Sequence, residues 1–225
     1  LRLTGMLNAL QEQMQSQEIE TLSFEERLGL MVDREVTERD SRRLQTRLRQ
    51  AKLRESAAIE DLDWRHPRGL DKGMVLSLAS CQWIREHRNL LITGPTGVGK
   101  TYLGCAMAQK ACREDYSVRY VRLPRLFRDL ASARVDGSYG KLLGQCAKTD
   151  LIVLDDWGIT PLSGEHRRDL LEMLEDRYGL RSTLVTSQLP VEQWHEYLDD
   201  PTVADAILDR LVHNAYTIKL KGESM

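Results

Sequence analysis

Apolar positions along this chain follow two regimes. In the N-terminal part they recur at helical spacing: Leu3, Met6, Leu7, Leu10 and Met14, then Leu28, Met31, Val32 and Val36, and after a polar interval Leu44, Leu48 and Ala51. Ser23 with Glu26 forms a capping box that opens the second of these helices. Beyond about Ser56 the pattern changes to short apolar runs fit for buried strands, alternating with helical stretches. Pro67 and Gly69 interrupt regular structure in the linker Trp64–Gly69, and Asp71 caps a helix predicted through about Glu86. Strands are predicted at Leu90–Thr93, Ser117–Arg122, Asp150–Asp156, Ser182–Thr186 and Tyr216–Leu220. Helices are predicted from Lys100 to about Glu114, at Leu126–Ala133, from about Tyr139 to Cys146, at Ser163–Tyr178, Val191–Leu198 and Pro201–Val212. Strands alternating with helices specify a doubly wound α/β fold with a five-stranded parallel sheet, here preceded by a small helical domain. The expected division is residues 1–56 and 57–225.

The glycine-rich turn after the first strand carries the clearest chemistry. Gly94-Pro95-Thr96-Gly97-Val98-Gly99-Lys100-Thr101 fits G-x-x-x-x-G-K-[ST] in full, in the strand-to-helix setting that this motif requires. Its glycines let successive N–H groups turn inward around phosphate oxygens, and the helix beginning near Lys100 adds its positive dipole end. Lys100 is expected to neutralise β- and γ-phosphates, with the Thr101 hydroxyl on Mg²⁺. ATP and Mg²⁺ are therefore the expected cofactors.

A second stretch, Asp150-Leu151-Ile152-Val153-Leu154-Asp155-Asp156, reads as a central strand buried on both faces and ending in carboxylates at the sheet edge shared with the P-loop. Asp155 is expected to hold the water shell of Mg²⁺, and Asp156 to orient or deprotonate the attacking water. Gln188 follows the next strand; it is placed either to touch the γ-phosphate or water, or simply in a helix cap before Leu189-Pro190.

Net charge is −2, so contact with nucleic acid has to come from local patches. Two arginine-rich stretches qualify: Arg39, Arg42, Arg43 and Arg47 on the second helix, and Arg119, Arg122, Arg125 and Arg128 across a strand-to-helix junction. Each reads either as a phosphate-backbone contact or as a solvated face laced with ion pairs. Cys81, Cys105, Cys112 and Cys146 form no C-x-x-C pair, and the five histidines are scattered, which disfavours a zinc site and indicates buried free thiols in a reducing compartment. No G-x-S-x-G nucleophile motif is present. Trp83, Trp157 and Trp194 read as core or interface aromatics. No stretch is apolar enough to span a bilayer and no signal-peptide core appears, so the cytoplasm is expected. The first residue is not Met, which leads us to expect a native chain that starts earlier.

These residues resemble the IstB-like family of ATP-binding transposition helpers from bacterial insertion sequences, AAA+ ATPases close to the DnaC helicase loaders. The resemblance runs through Leu22–Leu28, Glu60–Asp63, Arg68–Asp71, the P-loop, Leu154-Asp155-Asp156-Trp157-Gly158, Thr186–Pro190, Ile207-Leu208-Asp209-Arg210-Leu211 and Lys221–Met225. It implies an AAA+ P-loop NTPase with Gln188 at the sensor-1 position and Arg210 as the arginine finger that reaches a neighbouring subunit's nucleotide. It also implies a homo-oligomer, ring or filament, assembled on double-stranded DNA and serving a transposase of the same insertion sequence. Asp156 stands where most AAA+ ATPases carry Glu, which predicts slow hydrolysis. The Gly-Glu-Ser-Met segment normally leads into a sensor-2 arginine, so a C-terminal continuation is expected. The rival expectations are a helicase loader and, from another class, a monomeric P-loop small-molecule kinase.

Overall fold

The computed structural model describes residues 3–16, 19 and 21–222; Glu223-Ser224-Met225, part of the resemblance, lie outside the described residues. The chain forms two compact units, Leu1–Arg47 and Leu48–Met225.

In the first unit, α1 (Thr4–Gln15) packs on α2 (Phe24–Ala51), the long helix that continues into the second unit. The capping box forms as the sequence predicts: the Glu26 carboxylate accepts from the Ser23 N–H at 2.8 Å, and the Ser23 hydroxyl accepts from the Glu26 N–H at 3.2 Å. The buried Glu35 accepts from the N–H groups of Gly5 (2.7 Å) and Met6 (3.2 Å), so one carboxylate on α2 satisfies the open N-terminal turn of α1. Burial works against that charge, but the bond from Arg39 and the two N–H donors prevail and hold the Glu35 carboxyl below its ordinary range.

The second unit is built on a five-stranded sheet of β1 (Asn89–Thr93), β2 (Val118–Arg122), β3 (Leu151–Trp157), β4 (Ser182–Ser187) and β5 (Ala215–Lys219). The order is β2-β3-β4-β1-β5 and every pairing is parallel. Helices cover both faces, which is why the central strands read as unbroken apolar runs: Leu90, Leu91, Ile92 and Leu151 to Leu154 are fully buried. Helices α5 (Lys100–Arg113), α6 (Leu123–Val135), α7 (Tyr139–Lys148), α8 (Gly164–Glu175), α9 (Trp194–Leu198) and α10 (Pro201–Val212) make up the layers. Each large aliphatic side chain withdrawn from water contributes about 1.5–3 kcal/mol. Trp157 and Trp194 are core residues, with ring centroids 4.9 Å apart, and Trp83 is buried with its indole N–H on the Leu78 carbonyl at 3.0 Å.

Local departures from the sequence pattern have identifiable causes. The single helix expected from Asp71 to Glu86 is two, α3 (Lys72–Leu78) and α4 (Gln82–Arg85), because Cys81 takes a left-handed conformation at φ 58°. Asp71 does cap α3, accepting from the Met74 N–H at 3.1 Å. The expected helix at Val191–Leu198 opens as a 3-10 turn, Val191–Gln193, before α9. The division into compact units falls at Arg47/Leu48, inside α2, and the expected one near residue 56; Ala51, on the second unit's side of it, is fully buried. All four cysteines are buried and none is in a disulfide, as expected.

Candidate nucleotide site

The P-loop strand β1 and the carboxylate strand β3 are not neighbours; β4 lies between them, and all three end at one edge of the sheet. There the turn 94–99 wraps a cavity of about 490 Å³ lined by residues that include Thr96, Gly97, Gly99, Lys100, Thr101, Asp155, Asp156 and Gln188. Gly94 enters the turn at φ 151°, and a Cβ there would meet the Leu220 carbonyl oxygen at 2.5 Å, a fit only glycine allows. The turn is anchored by the Leu220 N–H on the Thr93 carbonyl (2.7 Å) and the Gly94 N–H on the Ser187 carbonyl (3.2 Å). Arg68, buried in the linker, donates to the Val98 carbonyl at 3.3 Å and to the Asp63 carbonyl at 3.1 Å, bracing the loop from behind.

Asp155 is almost completely buried at the end of β3. Its carboxylate accepts from Thr101 Oγ1 at 3.0 and 3.2 Å and from the hydroxyls of Tyr120 on β2 and Thr186 on β4. Arg54 Nη1 stands 3.9 Å from it. Burial, and then the bond to Asp155, push the Tyr120 hydroxyl's pKa far up, so it remains a donor. Lys100 Nζ donates to the Pro95 carbonyl at 2.6 Å. Burial pushes its ammonium down from its ordinary pKa, opposed by the charges of Asp155 and Asp156.

Consecutive residues of a regular strand point to opposite faces, yet Asp155 and Asp156 both line the cavity. A bulge explains this. Leu154 pairs with Val185 and Trp157 with Ser187, so three steps on β3 run against two on β4, and Asp156 sits at φ 65°. Asp tolerates that left-handed conformation better than most residues. The Asp156 carboxylate is paired with Arg122 at 2.5 Å.

The structure brings Lys100, Thr101, Asp155, Asp156 and Gln188 together, and keeps Arg210 apart. Arg210 lies near the C-terminal end of α10, 2.6 Å from Glu175 and over the Tyr178 ring, beside the start of β1, where Asn89 Nδ2 donates to the Arg210 carbonyl at 2.8 Å. Among the arginines considered for DNA, Arg39 and Arg42 reach Glu35 at 2.6 and 3.8 Å, Arg43 reaches Asp40 at 3.5 Å, and Arg119 reaches Gln145 at 3.3 Å. Arg125 and Arg128 are exposed on α6, Arg125 at 3.9 Å from Asp129, and Arg47 is half-buried. Sequence reasoning missed Arg54, Glu55 and Thr186 at the cavity, and Tyr120 behind it on Asp155. Only the strand order and the turn after α2 bring them there.

The residues fit a nucleoside triphosphate with a divalent cation. The glycine turn and Lys100 line the cavity, Lys100 donates to a neutral carbonyl, and a hydroxyl and a carboxylate that could hold the cation meet beside it. Sheet order and site together define an AAA+ P-loop NTPase fold. The family model for IstB-like ATP-binding protein matches residues 1–225, and this chain belongs to that family. It is 55% identical to an insertion sequence ATP-binding protein (y4pL) of Sinorhizobium fredii over 99% of this chain and 91% of the relative. It is 53% identical to the ATP-binding protein of insertion sequence IS1162 from Pseudomonas fluorescens, over 84% and 83% of the two chains. The crystal structure of DnaI superposes with a TM-score of 0.61 at 26% identity, covering 73% of this chain and 91% of that one. The DnaC helicase loader shares the fold, with a TM-score of 0.57 at 21% identity over 69% and 93%. No helix among the described residues is long and apolar enough to cross a membrane.

Proposed function

We propose that this chain is an ATP-dependent, DNA-binding ATPase that oligomerises on double-stranded DNA and assists the transposase of its own insertion sequence. The observation that carries the nucleotide chemistry is the Thr101–Asp155 pair at 3.0 Å beside Lys100. Bound Mg·ATP supplies the scissile phosphoanhydride and a divalent charge. Main-chain N–H groups of 96–101 and Lys100 would bind the phosphates; Thr101 and Asp155 would hold the cation; Asp156, once released from Arg122, would orient the attacking water and accept its proton. Gln188 at the cavity rim positions that water or the terminal phosphate.

Arg210 is out of reach of its own cavity, which supports a role at a neighbouring subunit's nucleotide and hence an oligomer. The region 1–56 and the α6 arginines are the candidate surfaces for DNA and transposase. The insertion-sequence relatives favour transposition over helicase loading, for which the DnaI and DnaC likeness speaks at the level of fold. Electron microscopy on duplex DNA, with and without a non-hydrolysable ATP analogue, tests the proposal: ordered assemblies should require both, and Arg210→Ala should abolish turnover while sparing nucleotide binding. Monomers that turn over ATP at full rate with Arg210→Ala would instead favour a P-loop kinase.

A further inference from the structure

Helix α2 ends at Ala51, Lys52 takes a left-handed turn at φ 52°, and the chain then carries Arg54 and Glu55 to the wall of the nucleotide cavity. Arg54 is half exposed, so its guanidinium faces the cavity rather than the core. Its Nη1 stands 3.9 Å from the Asp155 carboxylate, to which the Tyr120 hydroxyl donates, and its Nε lies 3.7 Å from Glu55. Arg54 thus supplies positive charge beside the carboxylate and hydroxyl pair expected to hold a divalent cation. Lys100, by contrast, is spent on a neutral carbonyl.

We propose that Arg54 senses the terminal phosphate of the nucleotide within its own subunit. The inference rests on the nucleotide-site reading above. Thr101 and Asp155 would hold the divalent cation of a bound triphosphate, whose charge would weaken the pull of Asp155 on the like-charged Arg54. Arg54 is then displaced by a short distance to a terminal phosphate oxygen, for which its planar donor fork is suited. A diphosphate offers no such oxygen, so Arg54 gains no phosphate partner in the ADP complex. ATP and ADP therefore leave the segment following α2 in two different positions.

The test compares equilibrium binding of ATPγS and ADP, each with Mg²⁺, to the full chain carrying Arg54→Ala, Arg54→Lys or no substitution, with Lys100→Ala as control. Loss of a charge-assisted phosphate contact should lower the ATPγS-over-ADP preference about tenfold in Arg54→Ala, leaving ADP affinity unchanged, with partial recovery in Arg54→Lys. Hydrogen exchange of residues 48–56 should differ between the ATPγS and ADP complexes of the unsubstituted chain, and not in Arg54→Ala. An unchanged nucleotide preference in a folded Arg54→Ala variant overturns the proposal and leaves the site reading intact. Failure of the unsubstituted chain to bind either nucleotide overturns the site reading itself.

Discussion

Arg122 is the register partner of Asp155 across β2 and β3, yet its guanidinium bonds the next residue, Asp156, at 2.5 Å. The bulge at the end of β3 makes this possible by turning Asp156 into the same cavity. A residue considered for DNA contact and a residue considered for water activation are thereby one ion pair.

Removing Arg122 should free Asp156. An ion pair this exposed contributes about 1 kcal/mol or less, so Arg122→Ala is expected to raise DNA-free ATP turnover by up to about fivefold. Phosphate release at saturating ATP measures it, and unchanged or reduced turnover would contradict an inhibitory pairing.

Lys100→Ala removes the fixed cation from the phosphate cradle. Nucleotide affinity should fall by about a hundredfold, the scale of a desolvated charge-assisted contact, while the thermal midpoint without nucleotide stays close to that of the parent. Titration calorimetry reads both enthalpy and affinity. Equal affinities would mean that phosphates bind elsewhere.

Gly94→Ala places a methyl 2.5 Å from the Leu220 carbonyl oxygen at φ 151°. Relieving the clash shifts the P-loop or the segment after β5, at a cost of about 1–3 kcal/mol in denaturant unfolding. A variant as stable as the parent would show that the loop approaches Leu220 less closely than described.

Arg177, fully buried, donates to the carbonyls of Cys146, Thr149 and Ser182 and to Thr183 Oγ1, joining the end of α7 to the start of β4. Burial lowers its pKa to about 10. Arg177→Met strands those carbonyls and should cost about 3 kcal/mol or more, read from urea midpoints. A loss below 1 kcal/mol, the scale of one ordinary hydrogen bond, would show that water replaces the guanidinium there.

If α6 tracks a phosphate backbone, Arg125→Ala with Arg128→Ala should weaken duplex binding for every sequence and flatten the slope of log affinity against log salt by about 2. Fluorescence anisotropy over a salt series gives the slope directly. An unaltered slope would remove these two arginines from the DNA surface and return them to the solvated face.

By itself the sequence determined the elements and the phosphate loop. Short apolar runs bounded by turn residues read as strands covered on both sides, and the spacing from Gly94 to Thr101 is a local property of one turn and one helix start. The capping box at Ser23 and the cap at Asp71 were legible for the same reason: donor and acceptor lie within one turn of each other. The tertiary structure alone decided which side chains meet Asp155, because Tyr120, Thr186 and Arg54 come from three separate segments whose adjacency depends on strand order. It also decided that Asp155 and Asp156 share a cavity, since a bulge depends on the pairing partner. The ionic partners of the arginines on α2 were only partly legible. Arg43 with Asp40 follows from helical spacing, whereas Glu35 is drawn into the packing of α1, where burial and two open N–H groups fix a charge that sequence spacing leaves on the surface.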